Sequence, residues 1–486
     1  MSFIEKTATE LVSLLTKGEV TSRELTEAFC DRIDSVEGKV KALLYHDRAS
    51  AIAQADAVDA ARKSGKPVGK LAGLPVIVKD ILCTKGEPTT CASRMLENFK
   101  APYDAHVISL LQNASAVRIG RANMDEFAMG SSCENSAFQK TRNPWNLDCV
   151  PGGSSGGSAA CIAAKEAPLS LGTDTGGSIR QPAGLCGIVG LKPTYGRVSR
   201  FGLVAYASSL DQIGPMARTV EDAALLLEVI SGHDERDSTC ANLPVPEYSK
   251  SCRTPKKGLR VGVVTDYFGE GLDPEVEKAV REAIRVLELQ GAKIVEVRLP
   301  TSKYAIPTYY MVATAEASSN LARYDGVHYG YRAKEYSDLI DMYKKTRGEG
   351  FGAEVKRRIM LGTLALSAGR RDAFYVKALK VRRLLRNDYD KAFESCDVVL
   401  GPTSPSAAFK IGEKSDDPVA MYLSDIYTVA TNLAGLPGLS IPCGFTKAGL
   451  PIGLQLQGPA FAEETLLQAG YLYQQATDWH TKTPTL

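Results

Sequence analysis

The sequence predicts an α/β protein, a single large domain whose mixed β-sheet is covered on both faces by helices. Three observations carry that prediction. Short β-branched runs bounded by Gly or Pro recur from Gly73 onward, and stretches with helical periodicity alternate with them. The runs are apolar almost throughout, which is the pattern of strands buried on both faces. With 44% of its 486 residues apolar, the chain can also build a core larger than that of a typical domain of about 100–150 residues.

Taken in order, residues 1–65 form a helical N-terminal layer. MSFIEKTATELVSLLTKGEV reads as an amphipathic helix, and Glu5, Lys6 and Glu10 break up the apolar core that a secretory signal needs, so export is not expected. Thr21 and Glu24 make a capping box ahead of LTEAFCDRIDSV, and RASAIAQADAVDAARKSG is a further helix that ends at Gly65. Strands follow in GLPVIVKDIL, AVRIGRAN, APLSLGTD, LRVGVVTDY, AKIVEVRLP, DVVLGPT, GLSIPCG and PIGLQLQG. Helices lie between them in VEDAALLLEVIS and PEVEKAVREAIRVLELQG. The polar stretch 232–257 and the segment 331–371 read as surface insertions, because the strands on either side look alike. The uncharged run from Ile426 to Thr446 is broken by Gly435, Pro437, Gly438 and Pro442, which suits a buried helix, loop and strand and not a membrane span.

Charge and cysteine content exclude several classes. Lys and Arg number 58 against 56 Asp and Glu, so the whole-molecule charge selects no polyanionic partner. The 11 cysteines include no C-x-x-C pair, which fits reduced thiols in a cytoplasmic protein and neither a zinc site nor a disulfide framework. Locally, 13 Lys/Arg stand against 3 Asp/Glu between Lys344 and Arg386, a face for tRNA or an acidic partner, or a solvated helix surface.

The chemistry concentrates in PGGSSGGSAACIAAKEAPLSLGTDTGGSIRQPAG, where two Gly-Gly-Ser copies set Ser154 and Ser178 in tight turns. Glycine flanks leave room for a substrate carbonyl to approach a serine hydroxyl and the backbone N–H groups beside it. A linker would run on into polar residues, whereas this one runs into the small-residue helix SAACIAAK; the lysine of a phosphate-binding loop is also missing. Ser178 falls at a strand-to-helix turn, where the N–H groups of Thr175, Gly176, Gly177 and Ser178 form either an anion nest or a plain turn. The five histidines lie singly, apart from these motifs. Lys79 closes the apolar run LPVIVK, so it is either a base made neutral by burial or a surface cation paired with Asp80.

LPVIVKD, PGGSSGGSAA and GTDTGGSIRQPA, in this order, resemble the three motifs of the amidase signature family. The resemblance implies the amidase signature fold and a Ser–cis-Ser–Lys triad: Ser178 as nucleophile, Ser154 as the bridging serine after a cis peptide bond, and Lys79 as base. It also assigns an oxyanion hole to Thr175, Gly176 and Gly177. Stretches outside the motifs, among them ANMDEFAMGSSCENSAFQKTRNPWN, FGAEVKRRIMLGT and MYLSDIYTVATNLAGLPG, resemble the branch of glutaminase subunits that serve tRNA-dependent amidotransferases. That branch implies glutamine as the amide, held by Arg358 on its α-carboxylate and Asp425 on its α-ammonium, with Met129, Ser132 and Tyr309 lining the pocket. Read without the resemblance, Arg358 is one of three consecutive basic residues on a helix and Asp425 is a surface helix residue. The branch further implies two partners, the B and C subunits of the amidotransferase, with ATP and Mg²⁺ used on the B subunit, where the mischarged Glu-tRNA(Gln) or Asp-tRNA(Asn) is converted. No cofactor or metal is expected in this chain, and no membrane anchor. Two alternatives remain: a free-standing amidase of small amides, and a catalytically silent tRNA-binding scaffold.

Overall fold

The computed structural model describes residues 3–486; Met1 and Ser2 lie outside it. Its centre is one 11-stranded sheet built from β1 (Leu43–Tyr45), β2 (Pro75–Lys79), β3 (Val117–Ala122), β4 (Leu169–Asp174), β5 (Val189–Lys192), β6 (Gln212–Ala217), β7 (Arg260–Val264), β8 (Lys293–Val297), β9 (Val398–Pro402), β10 (Gly438–Phe445) and β11 (Pro451–Gln457). The spatial order is β1-β3-β2-β4-β6-β5-β10-β11-β9-β7-β8. β2 runs parallel to both β3 and β4, and β7 parallel to both β8 and β9, while the remaining neighbours are antiparallel. The sheet is therefore mixed, with helices on both faces, as the sequence predicts. Every residue of β2, β4, β6, β9 and β11 is buried, which accounts for the unbroken apolar run PVIV of β2, while the buried Gln455 and Gln457 of β11 donate to Tyr427 O and Thr431 Oγ1.

The eight strands read from sequence are all present, and β1, β5 and β6 join them. β1 and β5 have only 3 and 4 residues, and β6, QIGPMA, carries Gly and Pro in its middle. Local propensity argues against such a strand, yet β6 is fixed on both sides by β4 and β5. The capping box forms as the sequence dictates: Glu24 N–H donates to Thr21 Oγ1 at 3.1 Å, and Thr21 N–H donates to Glu24 Oε2 at 2.9 Å.

Segment 331–371 includes the helices Leu339–Gly350 and Ala353–Leu366. The second packs so closely on Ala305–Asn320 that a Cβ at Gly362 would lie 1.9 Å from Thr314 O. This contact carries Arg358 inward. Among the described residues no helix is long and apolar enough to cross a membrane.

Candidate active site

β2 and β4 are parallel neighbours, so their carboxyl ends emerge together; β2 ends on Lys79, and β4 leads through the turn 175–179 into the helix Arg180–Cys186. The loop before the helix Gly156–Ala163 lies against both and carries Ser154, whose peptide bond to Gly153 is cis. Three distant stretches of sequence thus meet at one point.

Lys79 is fully buried and neither reaches the surface nor pairs with Asp80, which instead accepts from Arg121 Nε at 3.2 Å. Its Nζ lies 2.8 Å from each of Ser154 Oγ, Ser155 Oγ and Thr173 Oγ1. Burial lowers its pKa to about 7, against the opposing pull of Asp125 and then of Cys133, Asp174 and Asp211. As a cation it donates to all three hydroxyls; with a pKa near 7 it spends part of its time neutral, when its one lone pair can accept from one of them. Ser178 is 8% exposed, and among the described residues no hydrogen bond engages its hydroxyl.

The turn that presents Ser178 is held by Asp174. Its carboxylate accepts from Gly177 N–H at 2.8 Å and Ile179 N–H at 3.2 Å, and Arg180 binds it through Nε at 3.0 Å and Nη2 at 3.1 Å. Burial acts to raise the pKa of Asp174, but Arg180 overrides it and brings the value to about 2. Arg180 also donates to Thr428 O at 3.1 Å and Asn432 Oδ1 at 2.6 Å, tying the turn to the far half of the sheet. The N–H of Gly177 is thereby occupied, whereas those of Thr175, Gly176 and Ser178 make no hydrogen bond among the described residues. Of the three residues expected to form the oxyanion hole, Thr175 and Gly176 present open donors. Gly177 instead supplies the backbone shape: its φ is 138°, and a Cβ there would lie 2.2 Å from Thr428 Oγ1.

The pocket residues gather around this turn. The Tyr309 ring covers Gly176, where a Cβ would lie 2.6 Å from the ring. Arg358 is 3% exposed, which rules out the surface-helix reading for this residue. Its Nε donates to Glu354 Oε1 at 2.8 Å and its Nη1 to Tyr206 OH at 2.8 Å, and the rings of Tyr206, Tyr310 and Tyr422 surround it at 5.7, 5.2 and 5.5 Å. Both N–H groups of Nη2 remain open, the edge with which guanidinium grips a carboxylate. Asp425 is also buried, and Ser131 Oγ donates to its Oδ2 while its Oδ1 has no partner. Burial raises its pKa to about 7, partly offset by Ser131 and Arg358. Ser132 Oγ is a second buried atom without a partner, and Met129 is fully buried in the same loop.

Tyr206 and Ser131 escape sequence reasoning, because each acts through a contact no motif records, whereas the Glu354–Arg358 pair is an i,i+4 spacing on one helix that the sequence does carry. The Arg358–Tyr206 contact spans 152 positions and Asp425–Ser131 spans 294. Asp174 is within its reach, since an Asp three residues before a glycine in a Gly-rich turn marks a side-chain-capped turn. Among the described residues no group of His, Cys, Asp and Glu is arranged to hold a metal.

A serine in a glycine turn, a buried lysine behind a second serine and open N–H donors form an arrangement suited to acyl transfer through a serine, set on an α/β sheet. The amidase family model matches residues 24–467, and the chain belongs to that family. It is 59% identical over 480 residues to the A subunit of the glutamyl-tRNA(Gln) amidotransferase of Moorella thermoacetica, covering 99% of this chain and 98% of the relative. Among solved structures, the A subunit of the glutamyl-tRNA(Gln) amidotransferase of Thermotoga maritima superposes with a TM-score of 0.80 at 42% identity, covering 96% of this chain and 94% of that one. A 6-aminohexanoate cyclic dimer hydrolase superposes with a TM-score of 0.85 at 27% identity, covering 99% of each chain.

Proposed function

We propose that this chain is the glutaminase subunit of a tRNA-dependent amidotransferase, releasing ammonia from glutamine through Ser178, Ser154 and Lys79. The observation that carries the reading is the pocket beside Ser178. It offers one buried cation with open donors, Arg358, and one buried acid with an unpartnered oxygen, Asp425, the pair that a free amino acid's carboxylate and ammonium require. The relay distances of 2.8 Å from Lys79 support the chemistry.

Ser178 Oγ bonds to the carboxamide carbon as its proton passes to Ser154 Oγ, and the proton of Ser154 passes to neutral Lys79 Nζ. The carbonyl electron pair moves onto oxygen, where the open N–H groups of Thr175, Gly176 and Ser178 receive it; one such donor is worth about 3–4 kcal/mol. The C–N bond then breaks, and the proton on Lys79 returns through Ser154 to the leaving nitrogen, giving ammonia. Water attacks the acyl-Ser178 ester by the same relay and releases glutamate. Tyr309, Met129 and Ser132 shape the pocket along the substrate stem.

Ammonia is handed to the B subunit, where ATP and Mg²⁺ activate the Glu or Asp carried by the mischarged tRNA, with the C subunit joining the assembly in the cytoplasm. The relatives named as the A subunit of such an enzyme support these partners, and 99% coverage of this chain by one of them extends the likeness beyond the motifs. The test is glutamine-dependent ammonia release by the chain with and without the B and C subunits. Ser178→Ala, Ser154→Ala and Lys79→Met should each abolish it. Intact release by Ser178→Ala would overturn the assignment, and a rate indifferent to the partners would favour a free-standing amidase.

A further inference from the structure

The relay of Ser178, Ser154 and Lys79 leaves one buried carboxylate beside it without a task. Resting on the glutaminase reading of that relay, we propose that Asp125 is a positioning residue for the reaction: it clamps the pocket loop to the relay serine and supplies the negative charge against which Lys79 takes its proton.

The clamp is built from three hydrogen bonds. Asp125 is fully buried; its Oδ2 accepts from Cys133 N–H at 2.9 Å and its Oδ1 from Asn135 N–H at 3.1 Å, holding the loop that carries Met129, Ser131 and Ser132. Its own N–H donates to Ser154 O at 3.2 Å. Glycines make room for the carboxylate: a Cβ at Gly153 would lie 2.1 Å from Asp125 Oδ2, and one at Gly130 would lie 2.4 Å from its Cγ. One residue therefore links the two: its carboxylate holds the loop, and its backbone N–H holds the relay serine.

The charge is the second half. When Lys79 takes the proton it becomes a cation with no water around it, a state that needs a counter-charge. The ionisable groups whose charge acts on Lys79 include Asp125, Cys133, Asp174 and Asp211, and Lys79 also acts on Cys91, a buried thiol that burial keeps neutral. Asp174 is committed to Arg180 in a bidentate pair, and Asp211 to Thr175 Oγ1 at 2.7 Å and to the N–H groups of Tyr206 and Ala207. Cys133 is a buried thiol whose pKa burial pushes up to about 12, so it stays neutral. Asp125 makes no ion pair among the described residues and has Lys79 as the cation acting on it, with Glu134 as an opposing like charge. Burial lifts its pKa to about 6, which leaves it ionised at neutral pH. No bond to Asp125 forms or breaks; the proton moves from Ser178 to Ser154 to Lys79, and the carboxylate stabilises where it arrives.

The test uses the full chain and two readouts across pH 5 to 10: the rate at which a fluorophosphonate labels Ser178, and glutaminase kinetics. Asp125→Asn keeps the shape and removes the charge. The expected result is an acid limb moved down by roughly one pH unit, as loss of a nearby opposite charge dictates. Labelling at pH 8 should fall by up to about tenfold, the factor that one pKa unit is worth, and KM for glutamine should rise from the loosened loop. An unmoved acid limb with a wild-type labelling rate overturns the proposal, even if KM rises, because a loop clamp alone would do that. A wild-type Ser178 that resists the label would instead refute the nucleophile assignment. Unfolding midpoints establish that the variant is folded; if Asp125→Asn is not, Asp125→Ser removes the same charge from a smaller side chain and is read in the same way.

Discussion

Under the proposed glutaminase reading, Asp425 makes the pH dependence of glutamine binding calculable. Its pKa lies near 7 against an ordinary 3.8, because burial disfavours the carboxylate and Ser131, Arg358 and Arg180 oppose that only in part. The gap corresponds to about 4 kcal/mol spent against ionisation before any ammonium arrives. Since the native chain binds the proton more tightly than the unfolded one, this group's stabilisation of the fold is full below about pH 4 and is lost as pH rises through 7. Glutamine binding runs the other way. The ammonium requires the carboxylate, so below pH 7 each unit of acidity should raise KM about tenfold, and above pH 8 KM should level off. Asp425→Asn removes the charge while keeping the shape. Leaving a buried ammonium without its partner costs about 2–5 kcal/mol, so KM at pH 8 should rise from about 30-fold to several-thousand-fold, with the slope below pH 7 abolished. The assay is initial-rate ammonia release at pH 5.5 to 8.5, with an analogue lacking the α-amino group as control, which Asp425→Asn should handle no worse than wild type. A variant KM within threefold of wild type at pH 8, or a surviving acid slope, would refute the assignment of Asp425 to the ammonium.

Gly177→Ala should remove activity and lower unfolding free energy by about 2–5 kcal/mol in urea titration, because the new Cβ meets Thr428 Oγ1 at 2.2 Å on a backbone with φ of 138°; a loss under about 1 kcal/mol would show that the turn yields easily. Away from the site, Glu166 is fully buried with both oxygens unpartnered beside Glu37, whose oxygens accept from Ala42 and Leu43 N–H at 2.9 and 2.8 Å. Burial and mutual repulsion raise the pKa of Glu166, and burial raises that of Glu37, so the native chain retains protons that the unfolded chain gives up. Stability should therefore fall as pH rises from neutral to 9, and Glu166→Gln should flatten that slope in chemical denaturation; an unchanged slope would count against a protonated pair.

The strands that sequence reveals are those whose residues favour strand on their own account, such as PVIVK in β2 and RVGVV in β7. β6 is legible only from its neighbours, because QIGPMA is held in the sheet by β4 and β5 despite its Pro and Gly. The same division runs through the site. Ser154, Ser178 and Lys79 are readable because nucleophile turns and a strand-terminal lysine are local patterns. Asp425 and Arg358 look like helix-surface residues until helix packing buries them, and their partners Ser131 and Tyr206 come from other parts of the chain.

Burial is the variable that sequence conceals, and here it decides the chemistry. An exposed Lys79 would keep its ordinary pKa of 10.5 and be almost wholly protonated at neutral pH, unable to accept a proton as the proposed relay requires. An exposed Asp425 would titrate near 3.8 and could not couple glutamine affinity to neutral pH. The same desolvation that lowers one value and raises the other brings both groups to about 7. A more open pocket would separate them again, favouring the carboxylate for binding and disabling the amine for catalysis. The helix Ala353–Leu366 and the Tyr310–Tyr422 stack, at 4.0 Å between ring centroids, pack around Arg358 and help exclude water from this region. Substitutions that admit water there should lower glutaminase kcat at neutral pH even where no catalytic side chain is touched.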